Sequence, residues 1–166
     1  MNRFIADTML GRLSTWLRII GYDTLYFKDI DDASLLRLAR EEGRVILTRD
    51  TLLLKRREIG DYVFIKDNEP INQLKQVIAV LSLNTRDNLF TRCTRCNEIL
   101  ISIEKKYIED LVPEYVFETN NIFTQCRICR RVYWKGTHFK RMENRLKRLL
   151  DNPPYSPFSK GGMGGF

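Results

Sequence analysis

This chain is poor in the groups on which many enzymes rely. It holds one histidine, His138, and only four cysteines in 166 residues. It has no Gly-rich phosphate loop, no Walker motif and no G-x-S-x-G elbow, so P-loop nucleotide hydrolysis and the α/β-hydrolase mechanism have no footing. The start, Met-Asn-Arg-Phe-Ile-Ala-Asp, lacks the apolar core of a signal peptide, and no apolar run is long enough to span a bilayer. The expectation is a cytoplasmic protein without a membrane partner. No internal repeat is evident. At 43% hydrophobic residues the chain can still bury a core.

The cysteines present are informative. All four fall into two Cys-x-x-Cys pairs, Cys93/Cys96 and Cys126/Cys129, separated by residues 97–125. Two tight knuckles brought together by folding supply the four thiolates of a tetrahedral zinc site, and the spacer is long enough for a hairpin or small ribbon sheet. Four thiolates close the coordination shell, so this zinc is expected to be structural. Two disulfides would need an oxidising compartment, and a thioredoxin-like site needs only one such pair.

Charge divides the chain in the same way. Residues 1–90 carry 14 Lys and Arg against 13 Asp and Glu, whereas the remainder carries 14 against 8. Between Arg127 and Arg148 nine basic residues face one acid, Glu143, and Tyr133, Trp134, His138 and Phe139 lie among them. A basic stretch interleaved with rings suits a polyanion with stackable bases, which makes Arg130, Arg131, Lys135 and His138 candidate RNA contacts. A solvated helix face is the plain alternative.

The N-terminal half alternates short apolar strands with helical periodicity. Strands are expected at Phe4–Ala6, Thr24–Phe27, Val45–Leu47 and Tyr62–Ile65. Helices are expected on Leu10/Leu13/Leu17/Ile20, on Leu35/Leu38/Ala39, briefly over Leu52–Arg57, and on Ile71/Leu74/Ile78/Leu81. This βαβαβαβα rhythm predicts an α/β domain with a mostly parallel sheet flanked by helices. A last basic helix should bury Phe139, Met142, Leu146 and Leu149/Leu150. The segment 152–166, rich in Pro and Gly, reads as a flexible tail. The organisation expected is therefore 1–88 as the α/β domain, 89–137 as the zinc ribbon, 138–151 as the basic helix and 152–166 as the tail.

Ligands of a parallel sheet bind beyond the carboxyl ends of its strands. Asp7 and Asp50 follow strands directly, and Asp29, Asp31 and Asp32 follow another. Carboxylates with no His or Cys among them suit Mg²⁺ or Mn²⁺, and such ions serve phosphodiester hydrolysis. Each of Asp7, Asp32 and Asp50 also stands where a helix begins, where aspartate is a favoured N-cap. Asp67, after the fourth strand, is either a fourth carboxylate or a turn residue. Arg12 and Arg49 lie near the acidic edge, to grip a phosphate or to hold an aspartate; the plain alternatives are a solvent-facing helix position for Arg12 and a surface ion pair for Arg49. Gly11, inside a helix, implies close approach by another backbone or by substrate, or plain tolerance. Trp16 and Trp134 read as core, and His138 as a packing or RNA-contact residue rather than a catalytic base.

The motifs Phe4-Ile5-Ala6-Asp7, Met9-Leu10-Gly11-Arg12-Leu13, Trp16-Leu17-Arg18, Gly21-Tyr22-Asp23-Thr24, Ala39-Arg40-Glu41-Glu42-Gly43-Arg44 and Leu47-Thr48-Arg49-Asp50 are joined downstream by Arg92-Cys93, Cys96-Asn97, Cys126, Cys129, Val132-Tyr133-Trp134, Gly136-Thr137-His138 and Met142. Together they resemble the PIN-like RNase family with an attached zinc ribbon, the Mut-seven C-terminal RNase domain. The resemblance implies a PIN-like fold and metal-dependent RNA cleavage. Asp7, Asp50 and Asp32 or Asp31 would be the catalytic carboxylates, holding Mg²⁺ or Mn²⁺. The alternatives from other classes are a non-catalytic RNA-binding module whose aspartates only cap helices, and a protein-interaction adaptor built on the ribbon and last helix. A protein partner or homodimer remains open.

Overall fold

A computed structural model describes residues 2–151, and the expected tail lies outside the described residues. The first half runs β1 (Phe4–Ala6), α1 (Gly11–Ile19), β2 (Thr24–Tyr26), α2 (Asp32–Glu42), β3 (Val45–Thr48), β4 (Tyr62–Phe64) and α3 (Pro70–Leu81). The second half runs β5 (Leu100–Ile103), α4 (Glu114–Thr119), β6 (Phe123–Cys126), β7 (Val132–Trp134) and α5 (Thr137–Asp151).

Strands β1–β4 form one parallel sheet in the order β2-β1-β3-β4. All three residues of β1 are buried, which is why it reads as an unbroken apolar run rather than an alternating one. Alternation survives in the partners each residue meets. Phe4 and Ala6 join Leu13, Leu17, Leu74 and Val77 of α1 and α3, whereas Ile5 joins Leu35, Leu36 and Ala39 of α2. Helix α2 stops at Gly43, whose φ of +58° lets its N–H turn back to Ala39 and Arg40.

The second sheet is an antiparallel ribbon, β5-β6-β7. Its small core of Ile108, Val112, Phe123 and Val132 is covered by Val116, Phe117 and Trp134, so Trp134 is ribbon core as expected. Helix α5 then returns to the helices that cover the parallel sheet. Leu146 enters the core beneath α1 and α3, Met142 packs against it, and Phe139 stacks on Phe90 with ring centroids 3.9 Å apart. Leu149 is buried too, whereas the side chain of Leu150 lies outside the described residues.

Two elements differ from expectation. The short helix foreseen over Leu52–Arg57 is one 3-10 turn, Leu53–Lys55, in which Leu53 alone is buried and no apolar stripe exists to dock a longer helix. Within the spacer expected to form a hairpin or small ribbon sheet, the segment 104–119 instead forms two 3-10 turns and α4 over the ribbon. Among the described residues no helix is long and apolar enough to cross a membrane.

Candidate active site and metal centre

In the order β2-β1-β3-β4 the chain leaves β1 in one direction and returns past it to β3. The switch point, where the crevice of such a sheet opens, therefore lies between β1 and β3. Asp7 and Asp50 follow these two strands. The Asp7 N–H donates to the Leu47 carbonyl at 3.0 Å, carrying the strand pairing up to the acid. The hydroxyl of fully buried Thr48 donates to Asp7 Oδ2 at 2.8 Å and accepts the Asp50 N–H at 2.9 Å. One side chain thus fixes both acids, and nothing in the sequence reading singled it out. Its only signal was a β-branched hydroxyl residue closing an apolar strand just before Arg49-Asp50.

The capping roles are present in part. Asp7 caps the 3-10 turn Thr8–Leu10, its Oδ1 accepting the Thr8 N–H at 2.6 Å, whereas Asp50 caps no helix and its Oδ1 accepts the Leu52 N–H at 2.7 Å in a local turn. At α2 the cap is Asp31, bound by the Ser34 N–H at 2.9 Å, and not Asp32. That hydrogen bond holds the exposed Asp31 carboxyl below its usual range. Asp32 lies instead in the first turn, 3.6 Å from Arg56. Asp67 spends both oxygens locally, on the Glu69 N–H and on Asn72, as a turn residue does. Among the described residues the four cysteines alone form a group of three or more metal-ligand side chains with ligand atoms mutually within 4.8 Å. Asp7 and Asp50 are bridged by Thr48, while Asp31 and Asp32 do not join them in such a group.

Beside the acids opens a cleft of about 430 Å³ whose lining includes Arg12, Arg49, Tyr26 and Gln73. Both arginines marked in the sequence therefore face one space, and Arg49 donates to the side-chain carbonyl of Asn68 across it. Gln73 is 4% exposed and donates to the Asp67 carbonyl at 3.0 Å. The close approach expected at Gly11 comes from neither backbone nor substrate. A Cβ there would lie 2.7 Å from the Tyr26 ring, whose hydroxyl donates to the Thr8 carbonyl at 3.1 Å.

The cysteines all carry free sulfurs. Cys93 and Cys129 Sγ stand 3.7 Å apart. A tetrahedron with Zn–S bonds of about 2.3 Å has edges of roughly 3.8 Å, so this spacing fits one zinc ion. Burial opposes ionisation of Cys93, but hydrogen bonds from Tyr133 and from the Cys96 and Arg95 backbone outweigh it and bring the thiol to about 7. Cys96 is pushed up to about 12 by burial and by the neighbouring sulfurs. Four clustered sulfurs resist joint ionisation without a cation among them. The donor set can hold a metal such as zinc.

The first knuckle is fastened to the amino ends of the parallel strands, the edge opposite the acids. Buried Arg18 donates to the Thr24 carbonyl at 2.9 Å and to the knuckle carbonyls of Thr94 and Arg95 at 2.9 and 3.0 Å. Asn97 accepts the Thr24 N–H at 2.9 Å and donates to Asp23 at 2.8 Å, and Asp23 pairs with Arg44 at 2.6 Å. Gly21, with φ of +92°, admits the Asn88 backbone to a distance no Cβ would allow. By contrast Arg130, Arg131, Lys135 and His138 are all exposed, and none of them lines the cleft beside the acids.

No curated protein and no solved structure gives a significant match to this chain. A family model does, across nearly every element described above: over residues 2–146 the chain matches the Mut7-C RNAse domain, and it belongs to that family.

Proposed function

We propose that this protein is a metal-dependent, PIN-like ribonuclease whose catalytic edge is built on Asp7 and Asp50. The observation that carries the reading is the Thr48 bridge, which joins the Asp7 carboxylate to the Asp50 backbone N–H at the switch point of a parallel sheet, beside a cleft containing Arg12 and Arg49. Asp7 Oδ2 keeps a lone pair beyond its bond from Thr48, whereas Oδ1 already accepts both the N–H and the hydroxyl of Thr8. Hard oxygen donors of this kind fit Mg²⁺ or Mn²⁺, and Asp32, whose exposed pairing with Arg56 is weak, or Asp31 would have to move in from the start of α2 to complete the set. Such an ion supplies charge neutralisation at a phosphodiester and an activated water. The chain's own residues then do the positioning: Arg12 and Arg49 grip phosphate, and Thr48 keeps the Asp7 carboxylate aimed. The zinc is structural, and the ribbon and α5 hold RNA through their exposed cations.

The test compares labelled single-stranded and structured RNAs with Mn²⁺, Mg²⁺ or EDTA, for the wild type and Asp7→Asn. Asparagine caps as well as aspartate but is a poor ligand for these ions. Divalent-dependent cleavage that falls by about 10²-fold or more in the variant, at unchanged zinc content, is the expected result. Wild-type rates in Asp7→Asn would sink the proposal. The capping bonds of Asp7 and Asp31 favour one rival, a non-catalytic RNA-binding module, which predicts salt-sensitive RNA binding with no divalent-dependent turnover.

A further inference from the structure

The two zinc knuckles share one backbone design and differ in what they face. Asn97 and Arg130 occupy equivalent positions with φ of +65° and +61°. Each N–H returns to the carbonyl of the first cysteine of its knuckle at 2.9 Å, Asn97 to Cys93 and Arg130 to Cys126. The first knuckle is used up against the parallel sheet, with Asn97 at 8% exposure. In the second, Arg127, Arg130 and Arg131 are exposed and Ile128 is 65% exposed. The left-handed φ belongs to the turn in both knuckles, so what sets the second apart is its exposed side chains, Arg130 among them.

That side chain borders a cavity of about 530 Å³ formed with Ile103, Tyr107, Leu111 and Gln125. Gln125 is only 5% exposed, and its amide donates to the Arg130 carbonyl at 2.9 Å. Among the described residues its side-chain oxygen accepts no hydrogen bond. An amide oxygen without a protein donor, two apolar walls, a tyrosine that is 62% exposed with Lys106 Nζ over its ring at 4.8 Å, and an arginine are the chemistry of a base and its phosphate. We infer that the second knuckle and this cavity form a seat for one unpaired base of a nucleic-acid strand. The base lies against Tyr107 and Leu111 and its amino group meets Gln125. Its phosphate meets Arg130, flanked by Arg127 and Arg131. The inference rests on the RNA reading given above but not on catalysis.

Binding is measured by fluorescence anisotropy in the full-length Asp7→Asn protein with zinc bound, using labelled single-stranded homopolymer RNAs and the corresponding duplexes. Arg130→Gly suits the left-handed φ, so the knuckle should fold, and zinc content with far-UV circular dichroism checks this for each variant. Arg130→Gly should weaken single-strand binding about tenfold and reduce the slope of log affinity against log salt by about one. Tyr107→Ala should weaken it by about fivefold or more with the slope unchanged, and should spare duplex binding. Unchanged affinity in both variants overturns the inference. So does displacement of the RNA by an acidic peptide at equal concentration, which would mark a protein site. Cleavage that depends on Asp7 while binding ignores both variants leaves the nuclease reading standing and sinks this one. RNA binding lost in the variants of a chain that never cleaves has the opposite meaning.

Discussion

Thr48 concentrates the chemistry of the acidic edge into one hydroxyl. Thr48→Val keeps the shape but leaves Asp7 Oδ2 and the Asp50 N–H without their partner, at about 1–3 kcal/mol of stability for a buried group left unsatisfied. If the pair is catalytic, cleavage should drop about 10²-fold through misplacement of the carboxylate, while Thr48→Ser restores it. Equal rates in the valine and serine variants would show that the bridge has no part in the reaction. Asp23 allows a second test at this scale. Burial alone would raise its carboxyl, but hydrogen bonds from Arg44 and Asn97, with the charges of Arg44 and Arg92, hold it below the ordinary 3.8. Because the folded value is depressed, its stabilisation is fully present above pH 3.8 and is lost as pH falls through the lower folded value. The melting-temperature gap between the wild type and Asp23→Asn should therefore stay constant from neutral pH down to about 5 and close under acid. A gap that widened on acidification would contradict the network. The acids were legible in the sequence because each ends an apolar strand. Thr48 was not, because a buried threonine in a strand looks like any β-branched core residue.

Among the elements, glycines separate conformational cost from crowding. Gly43 closes α2 with φ of +58° and open space around it, so Gly43→Ala should cost about 1 kcal/mol, the usual left-handed penalty. Gly21 combines φ of +92° with the Asn88 carbonyl oxygen standing where a Cβ would have to fit. Gly21→Ala must push the linker off α1 and should cost well over twice as much, as chemical denaturation would measure. Similar costs at the two sites would mean that the linker yields freely. The rhythm of strands and helices was readable because periodicity encodes which face each element buries, as Phe4, Ile5 and Ala6 show by alternating between two cores. The 3-10 turn after Asp50 and the segment 104–119 were not readable, because short pieces carry no period. Their shape is set by what they cover, and Ile108 finds its place in the ribbon core with Val112, Phe123 and Val132.

For the whole molecule, composition and charge suggest a catalytic domain with an appended ribbon, yet the contacts tie the two together. Arg18 and Asn97 fasten the first knuckle to the amino edge of the sheet, and Leu146 of α5 completes the core beneath α1 and α3. A zinc ion with four thiolates has a net charge of −2, and Arg18 sets a buried cation against the knuckle that carries it. Zinc should therefore support the parallel sheet as well as the ribbon. Chelation should lower a single, common melting transition and expose the Thr24 amide, whose acceptor is Asn97, to rapid hydrogen exchange. Asn97→Gly isolates the latch from the metal, because glycine keeps φ of +65° and the knuckle while removing the side-chain acceptor. It should retain zinc, lose about 1–3 kcal/mol, and show faster exchange at Thr24 than at Leu47. Were the parallel sheet to keep its full protection after zinc removal, the ribbon would be an independent module and the latch a mere surface contact. With the coupling present, the carboxylate edge answers to a metal site at the opposite end of its own strands.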